Sequence, residues 1–230
     1  MNNIKVRAIS VDHKHFRNYL ELKYIIFVNE LGWQLQLSQS PGLVETDTYD
    51  HFSNHFIAYS ARGNPVGIIR ATPIETAFPY RELLEKYISP ELISVGVDKL
   101  CVITSLAVLP EFRGKSVTYR GQHITTAKSL LWTAIDDLRD TGFEVCLLTA
   151  VEGASDAFFE RSGAYPMSEK YYLDRFTNHV RDFAILINDS ERFKETNSYL
   201  GVTCNPRELS SNERSTRQFL RSVEYSKLTC

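Results

Sequence analysis

Four cysteines serve the whole 230-residue chain. Cys101, Cys146, Cys204 and Cys230 stand far apart and no two are in Cys-x-x-Cys spacing. That argues against a zinc knuckle or a disulfide framework; Cys101 and Cys146, inside apolar strand patterns, read as buried thiols. No metal site is expected. Charge of one sign is also scarce. The 26 Lys and Arg residues against 28 Asp and Glu leave a formal net charge of −2, unlike the basic face of a nucleic-acid binder. Uninterrupted apolar runs of about 18 residues, which would suit a membrane span, are missing. The N-terminus has no signal-peptide core. A soluble cytoplasmic protein is expected. Internal repeats and low-complexity tracts are likewise missing.

Hydrophobic residues at 43% and aromatic residues at 12% are enough for a substantial core and argue against disorder over most of the length. The length suits one α/β domain with a tail. The pattern predicts a domain over 1–190 and a polar, partly helical extension over 191–230. Strands are predicted at Lys5–Ile9, His55–Ser60, Val66–Ala71, Lys99–Val108, Glu144–Ala150 and Arg181–Ile187, from alternation or continuous apolar runs. Helices are predicted over His13–Leu31, Tyr80–Tyr87, Thr125–Arg139, Ala154–Arg161 and, in the tail, Asn205–Lys227. Gly32, Gly142 and Gly163 stand at helix ends. Gln34 to Asp50 is polar and reads as a loop over a binding site.

The most informative stretch is Leu109-Pro110-Glu111-Phe112-Arg113-Gly114-Lys115-Ser116. It follows an apolar β-branched run and precedes the longest helical pattern. A turn between a strand and a helix aims backbone N–H groups at one spot, and the helix N-terminus adds partial positive charge there. Arg113 and Lys115 add full charges. This points to a pyrophosphate or phosphopantetheine and hence to an acyl-thioester donor. A second candidate turn follows at once at Arg120-Gly121-Gln122-His123-Ile124-Thr125, and its distance to Gly142 suits a helix of usual length better. One of the two turns must be an insertion, and the sequence leaves open which.

This order of elements resembles the GNAT acyltransferase fold. The resemblance rests on the strand, the Pro-Glu-Phe-Arg-Gly turn and the long helix, and on Ala157-Phe158-Phe159-Glu160-Arg161-Ser162-Gly163-Ala164. A second resemblance spans about residues 20–90. Lys23-x-x-x-Phe27, Leu31-Gly32-Trp33, Glu45-Thr46-Asp47-Thr48-Tyr49-Asp50 and Gly67-x-x-Arg70-x-x-Pro73 are similar to the acyl-homoserine-lactone synthases and the related N-acyl amino acid synthases. These resemblances imply a twisted mixed β-sheet flanked by helices. They imply an N-acyltransferase that draws on acyl-CoA or on the phosphopantetheine of an acyl carrier protein, with the amine of an amino acid or small amino metabolite as acceptor. Phe27 and Trp33 would border the pantetheine and acyl channel. Asp47, Asp50 and Arg70 would tie an N-terminal lid to the core and shape the amine site. Arg113, Gly114, Lys115, Ser116, Arg120 and Gly121 are the donor-binding candidates, and Arg113, Lys115, Arg120 and Lys128 could form a basic patch for an acidic carrier.

Several positions depart from those families. Lys23 replaces an arginine and loses its bidentate fork. Val102-Ile103-Thr104-Ser105 lacks the Glu and Arg of the homoserine-lactone synthases, which argues against that product. Phe159 stands where many GNAT enzymes place a general-acid Tyr, so that acid is missing. Two alternatives therefore accompany the main reading: a CoA-dependent small-molecule N-acetyltransferase, and a GNAT-fold module that binds acyl thioesters without turnover.

Acyl transfer to an amine requires polarisation of the thioester carbonyl by N–H groups, removal of a proton from the amine and reprotonation of the thiol. Leu106, Ala107 and Val108 are the expected oxyanion contacts. Asp47, Asp50, His51, His55 and Glu152 are the candidate bases. Asp47, Asp50 and Glu152 lead, although aspartates in a polar loop equally serve as caps or partners of Arg70.

Overall fold

The computed structural model describes residues 4–74 and 95–188. The helices expected over Tyr80–Tyr87 and Asn205–Lys227, and the extension 191–230, lie outside the described residues. The described residues divide into two compact units, one within Met1–Ala77 and Ile103–Asp137, the other within Phe78–Val102 and Leu138–Cys230.

In the first unit, β1 (Lys5–Ile9), β2 (Asn54–Tyr59) and β3 (Pro65–Pro73) form an antiparallel meander. The chain from β2 to β3 turns through Arg62-Gly63-Asn64, and glycine and asparagine suit such a turn. Strand β4 (Leu100–Val108) enters this unit from Ile103 onward. Period-2 alternation along β3 puts Ile68 in an apolar cluster with Tyr19, Leu22, Ile26 and Phe27. Gly67 points the other way, where a Cβ would meet the Ala107 carbonyl at 3.0 Å and Leu130 Cδ1 at 3.0 Å.

The expected single helix over His13–Leu31 is corrected. Helix α1 spans Phe16–Lys23 and continues as a π-helical segment, Tyr24–Glu30. Leu31 N–H bonds the Ile26 carbonyl, a five-residue step. Wider π turns redirect the side chains that follow and often mark functional sites. Here the segment delivers Phe27 onto Trp33 and Glu30 onto Arg113.

A second correction concerns the chain after β4. The Arg113-Gly114 turn does not lead directly into a helix. A β-hairpin intervenes, β5 (Ser116–Tyr119) and β6 (Gln122–Thr125), before α2 (Thr126–Asp140). Arg120 and Gly121 form its two-residue turn, with φ of +46° and +80°. Two successive left-handed residues define the turn whose twist suits a tight hairpin.

In the second unit, the start of β4 pairs in parallel with β7 (Val145–Val151), Cys101 opposite Cys146. Their sulfurs lie 3.1 Å apart as free, buried thiols. Helix α3 (Ala154–Arg161) follows, then β8 (Tyr165–Pro166), β9 (Tyr171–Leu173) and β10 (Asn178–Leu186). β10 pairs antiparallel with β7, β8 and β9. Phe159 of α3 packs on Phe183 of β10. The strands of this mixed sheet are hydrogen-bonded in the order β1-β2-β3-β4-β7-β10-β8, with β9 on β10. No helix among the described residues is long and apolar enough to cross a membrane.

Candidate active site

Arg70 is the centre of the first unit's charged cluster. It sits on β3 on the same face as Ile68, so its guanidinium is buried against α1. One nitrogen, Nη1, donates to Asp47 Oδ1 and Oδ2 at 2.8 and 2.6 Å and to Asp50 Oδ1 at 2.7 Å. Nε donates to Thr104 Oγ1 on β4 at 3.0 Å. Lys23, also buried, approaches Asp47 at 3.6 Å and Asp50 at 4.0 Å. The loop folds onto this centre through local chemistry. Asp47 Oδ1 accepts the Tyr49 and Asp50 N–H groups, and Asp50 Oδ2 accepts the Asp47 N–H. These are the bonds of an aspartate turn. Burial opposes ionisation of Asp47, but Arg70 and Lys23 outweigh it and hold the carboxyl below its ordinary value. Burial lowers the Lys23 ammonium despite the two carboxylates.

His55 Nε2 donates to the Asp50 carbonyl at 2.9 Å, and its ring meets Tyr19 and Phe16 edge-on. Burial lowers its pKa. His55 is thus a buried strut beneath Asp50, whereas His51 is exposed. Phe27 and Trp33 stack at 4.8 Å and 10°, within the apolar cluster that includes Ala107. Ser105, in mid-β4, has φ of +56°. A single left-handed residue interrupts an extended strand and re-aims the peptides after it. Leu106, Ala107 and Val108 are those peptides.

The structure separates the two candidate phosphate turns. Thr126, first residue of α2, donates its hydroxyl to the Phe112 carbonyl at 3.3 Å. Thr125 accepts the Lys128 N–H as the helix cap. Residues 109–115 therefore rest at the start of α2, and the hairpin is an excursion from that loop, closed at its base by Ser116 opposite Thr125. Gly114 is exposed there, and Lys115 Nζ lies 4.6 Å from the Phe112 ring centre. Arg120 and Gly121 stand at the hairpin's other end. Arg120 pairs with Asp136 at 2.9 Å, and Tyr119 donates to the same carboxylate at 2.5 Å. Asp136 lies ten residues into α2, about 15 Å from its first turn. The structure thus takes Arg120 and Gly121 away from the helix N-terminus. Arg113 itself is engaged: its guanidinium forks onto Glu30 at 2.5 and 2.7 Å while Nε donates to the Val108 carbonyl.

In the second unit, Glu152 is exposed and bonded to Lys170 at 2.7 Å, and Lys170 also reaches Asp156 at 3.2 Å. These contacts make Glu152 part of a surface ion-pair network. The sequence reading passed over a different acid. Asp182 of β10 is 3% exposed. It accepts Thr149 Oγ1 at 2.6 Å and the Tyr171 hydroxyl at 3.1 and 3.0 Å. Burial, the leading influence, raises its pKa. The available signal was an acid within the apolar run Phe183–Ile187 and its flank. Among the described residues no cluster of His, Cys, Asp and Glu is arranged to hold a metal ion.

Residues 22–120 match the acetyltransferase (GNAT) domain family. Solved structures share the fold at low identity. The acyl-homoserine lactone synthase BjaI, solved with MTA, superposes with a TM-score of 0.60 and 16% identity over 93% of this chain and 99% of its own. TofI, in a ternary complex with an inhibitor and MTA, gives 0.60 and 17% over 80% and 91%. FeeM, an N-acyl amino acid synthase from uncultured soil microbes, gives 0.59 and 12% over 84% and 94%. No curated protein matches the sequence at a significant level. Residues 22–120 thus carry the match to the GNAT acetyltransferase domain. The fold is the one shared by BjaI, TofI and FeeM.

Proposed function

We propose that the protein transfers an acyl group from a CoA or carrier-bound phosphopantetheine thioester to the primary amine of an amino acid or small amino metabolite. The observation that carries this reading is the loop 109–115 held at the start of α2 by Thr126, with Arg113 and Lys115 beside it. A 15-residue helix presents partial positive charge at that end, and two cations flank it. In this reading the donor phosphates exchange for Glu30 on Arg113. Phe27 and Trp33 line the acyl path, and Leu106 to Val108 offer N–H groups to the carbonyl. The Asp47–Asp50–Arg70 cluster fixes the lid. Because all its carboxylate oxygens are already engaged by Arg70 or by backbone amides, it serves as a frame for the amine site and not as its base. Residues 1–190 make up the working domain. The solved relatives BjaI and MesI are described as CoA-dependent acyl-homoserine lactone synthases and FeeM as an N-acyl amino acid synthase. These descriptions favour an amino-acid-like acceptor. The strand residues Thr104 and Ser105 favour the second type over lactone synthesis.

The test is native mass spectrometry of the protein with loaded acyl carrier protein and with CoA thioesters of several chain lengths, followed by thiol release in the presence of amines. Binding of a long-chain donor and amine-dependent thiol release supports the proposal. Release from acetyl-CoA alone makes the protein a small-molecule acetyltransferase. Binding without release on any amine makes it a thioester-binding module, and no binding of either donor overturns the donor site.

A further inference from the structure

Within the first unit, two hydroxyls take no part in the site described above. Tyr19 of α1 is 0% exposed, and among the described residues its hydroxyl meets no hydrogen-bond partner. A buried donor without an acceptor is costly. His55 does not relieve it. The two rings meet edge-on at 4.6 Å, but His55 Nε2 is spent on the Asp50 carbonyl and Nδ1 has no partner either. Lys23 Nζ lies 5.5 Å from the centre of the Tyr19 ring and brings only protons of its own. The hydroxyl of Ser105 lies beside the phenol, near enough to act on its ionisation. Burial pushes the phenol's pKa up, so it stays protonated and serves as a neutral donor.

Ser105 is also where β4 breaks its own rule. Thr104 accepts from Arg70, and Ala107 packs in the cluster that holds Tyr19 and Ile68. Both therefore face α1, although residues three apart on a regular strand face opposite ways. The extra step is taken at Ser105, with φ of +56°. Glycine holds such a backbone at no steric cost, whereas serine is strained there and adds one hydroxyl. Strain of this kind gathers at sites that use it. Ser105 is only half-buried. Once Tyr19 gives its proton to Ser105 Oγ, the serine proton is the one left to offer. Two hydroxyls in series polarise one another, and the pair stands next to Leu106, Ala107 and Val108. The complementary partner is an oxygen gaining negative charge.

We propose that Ser105, with Tyr19 behind it, donates a hydrogen bond to the thioester carbonyl oxygen as that oxygen becomes an oxyanion. Ser105 is the catalytic residue of the pair and Tyr19 the positioning residue. The inference rests on the acyl-transfer reading, and its parts lie in the same unit as the donor loop, Phe27 and Trp33. The step balances with no proton passing to the oxygen. The neutral amine attacks the thioester carbon, the C–N bond forms, and the carbonyl electron pair moves onto the oxygen that Ser105 meets. The pair returns as the C–S bond breaks, and a proton from the nitrogen ends on the departing sulfur. The products are an amide and a free thiol, and both hydroxyls keep their protons.

The test compares wild type with Ser105→Gly, Ser105→Ala and Tyr19→Phe. Thiol release from CoA thioesters of several lengths, with the common amino acids as acceptors, gives kcat and KM, and titration calorimetry gives donor affinity. Ser105→Gly is expected to lower kcat by about 10²-fold, as the loss of one oxyanion donor does. Donor affinity should stay within about twofold, because the bond matters only once charge develops. The same variant should unfold at an equal or higher temperature, since glycine relieves the strain. A serine that served only the strand would give no such loss of rate without loss of stability. Ser105→Ala keeps the strain and should lose as much rate. Tyr19→Phe should lower kcat by about tenfold, the worth of one neutral hydrogen bond, and should add nothing in the Ser105→Gly background. A Tyr19→Phe loss of the same size in both backgrounds overturns the pairing. A Ser105→Gly loss that falls on donor affinity and spares kcat overturns the oxyanion role. Should Ser105→Gly fail to fold, Ser105→Ala carries the test. A wild type active on its acceptor, with serine variants equally fast, sinks this inference alone. A wild type that releases thiol from no donor sinks the acyl-transfer reading and this inference with it.

Discussion

A single guanidinium nitrogen holds both loop aspartates. Nη1 of Arg70 serves Asp47 and Asp50, while Nε is committed to Thr104. The side chain is thus stretched between the loop and β4, and its orientation is fixed at both ends. Lys23 alone does not replace it, because an ammonium is a point charge without the planar fork. Arg70→Met is expected to cost about 3–5 kcal/mol, the usual penalty for leaving a buried charge without its partner. Urea unfolding measures this. A loss below about 1 kcal/mol would mean that solvent already screens the cluster. Arg70→Lys should recover only part of the loss. The sequence spacing Asp47, Asp50 and Arg70 was legible as a cluster because each belongs to one motif. Asp182 was not, since nothing in Arg181-Asp182-Phe183 says that Thr149, thirty-three positions away, will lie opposite.

At the scale of elements, the hairpin decides which arginine meets the donor. Arg120→Ala should leave donor affinity within about twofold, because its guanidinium is paired with Asp136, about 15 Å along α2 from the donor loop. Arg113→Ala should weaken donor binding. Glu30→Gln should strengthen it, because the donor then displaces a neutral partner and not a carboxylate. Isothermal titration with CoA reads all three. Equal losses for Arg113 and Arg120 would return the hairpin tip to the donor site. The strand alternations and α2 were legible from period and length. The hairpin is legible only in part, for Val117-Thr118-Tyr119-Arg120-Gly121-Gln122-His123-Ile124 sets β-formers around a two-residue turn. Arg-Gly serves equally as a tight turn and as a phosphate turn, and only the folding of Tyr119 and Arg120 back onto Asp136 separates the two. The π-helical segment has no comparable sequence signal, because Tyr24–Glu30 keeps apolar residues at spacings that an α-helix also satisfies. Gly67 marks a different constraint. A methyl group at that position would press on the Ala107 carbonyl and Leu130 together, so Gly67→Ala should destabilise by about 1–3 kcal/mol, the cost of overpacking. Thermal unfolding measures it, and no change would mean that β4 and α2 yield.

For the whole molecule, stability should follow pH through groups of opposite sign. His55 and Asp47 are both held below their ordinary values, 6.5 and 3.8. The unfolded chain binds those protons more readily, so their contribution is complete above the ordinary values and is lost as pH falls, His55 first and Asp47 later. Asp182 is shifted upward, so its ionised form costs stability at neutral pH and its protonation returns that cost on the acid side. On the acid side of neutral, unfolding temperatures should therefore show a first decline beginning below about 6.5. His55→Gln should remove that first decline and spare the later one, and an unchanged profile would take His55 out of the account.

The hairpin β5–β6 leaves the donor loop and comes back to it between two paired residues, Ser116 and Thr125, so the path into α2 is closed before the excursion begins. In engineering terms it is a socket. A tag, a reporter domain or a longer loop whose own ends meet can be spliced between Arg120 and Gly121, on an exposed turn of the kind that tolerates insertion, and the chain on either side keeps its register.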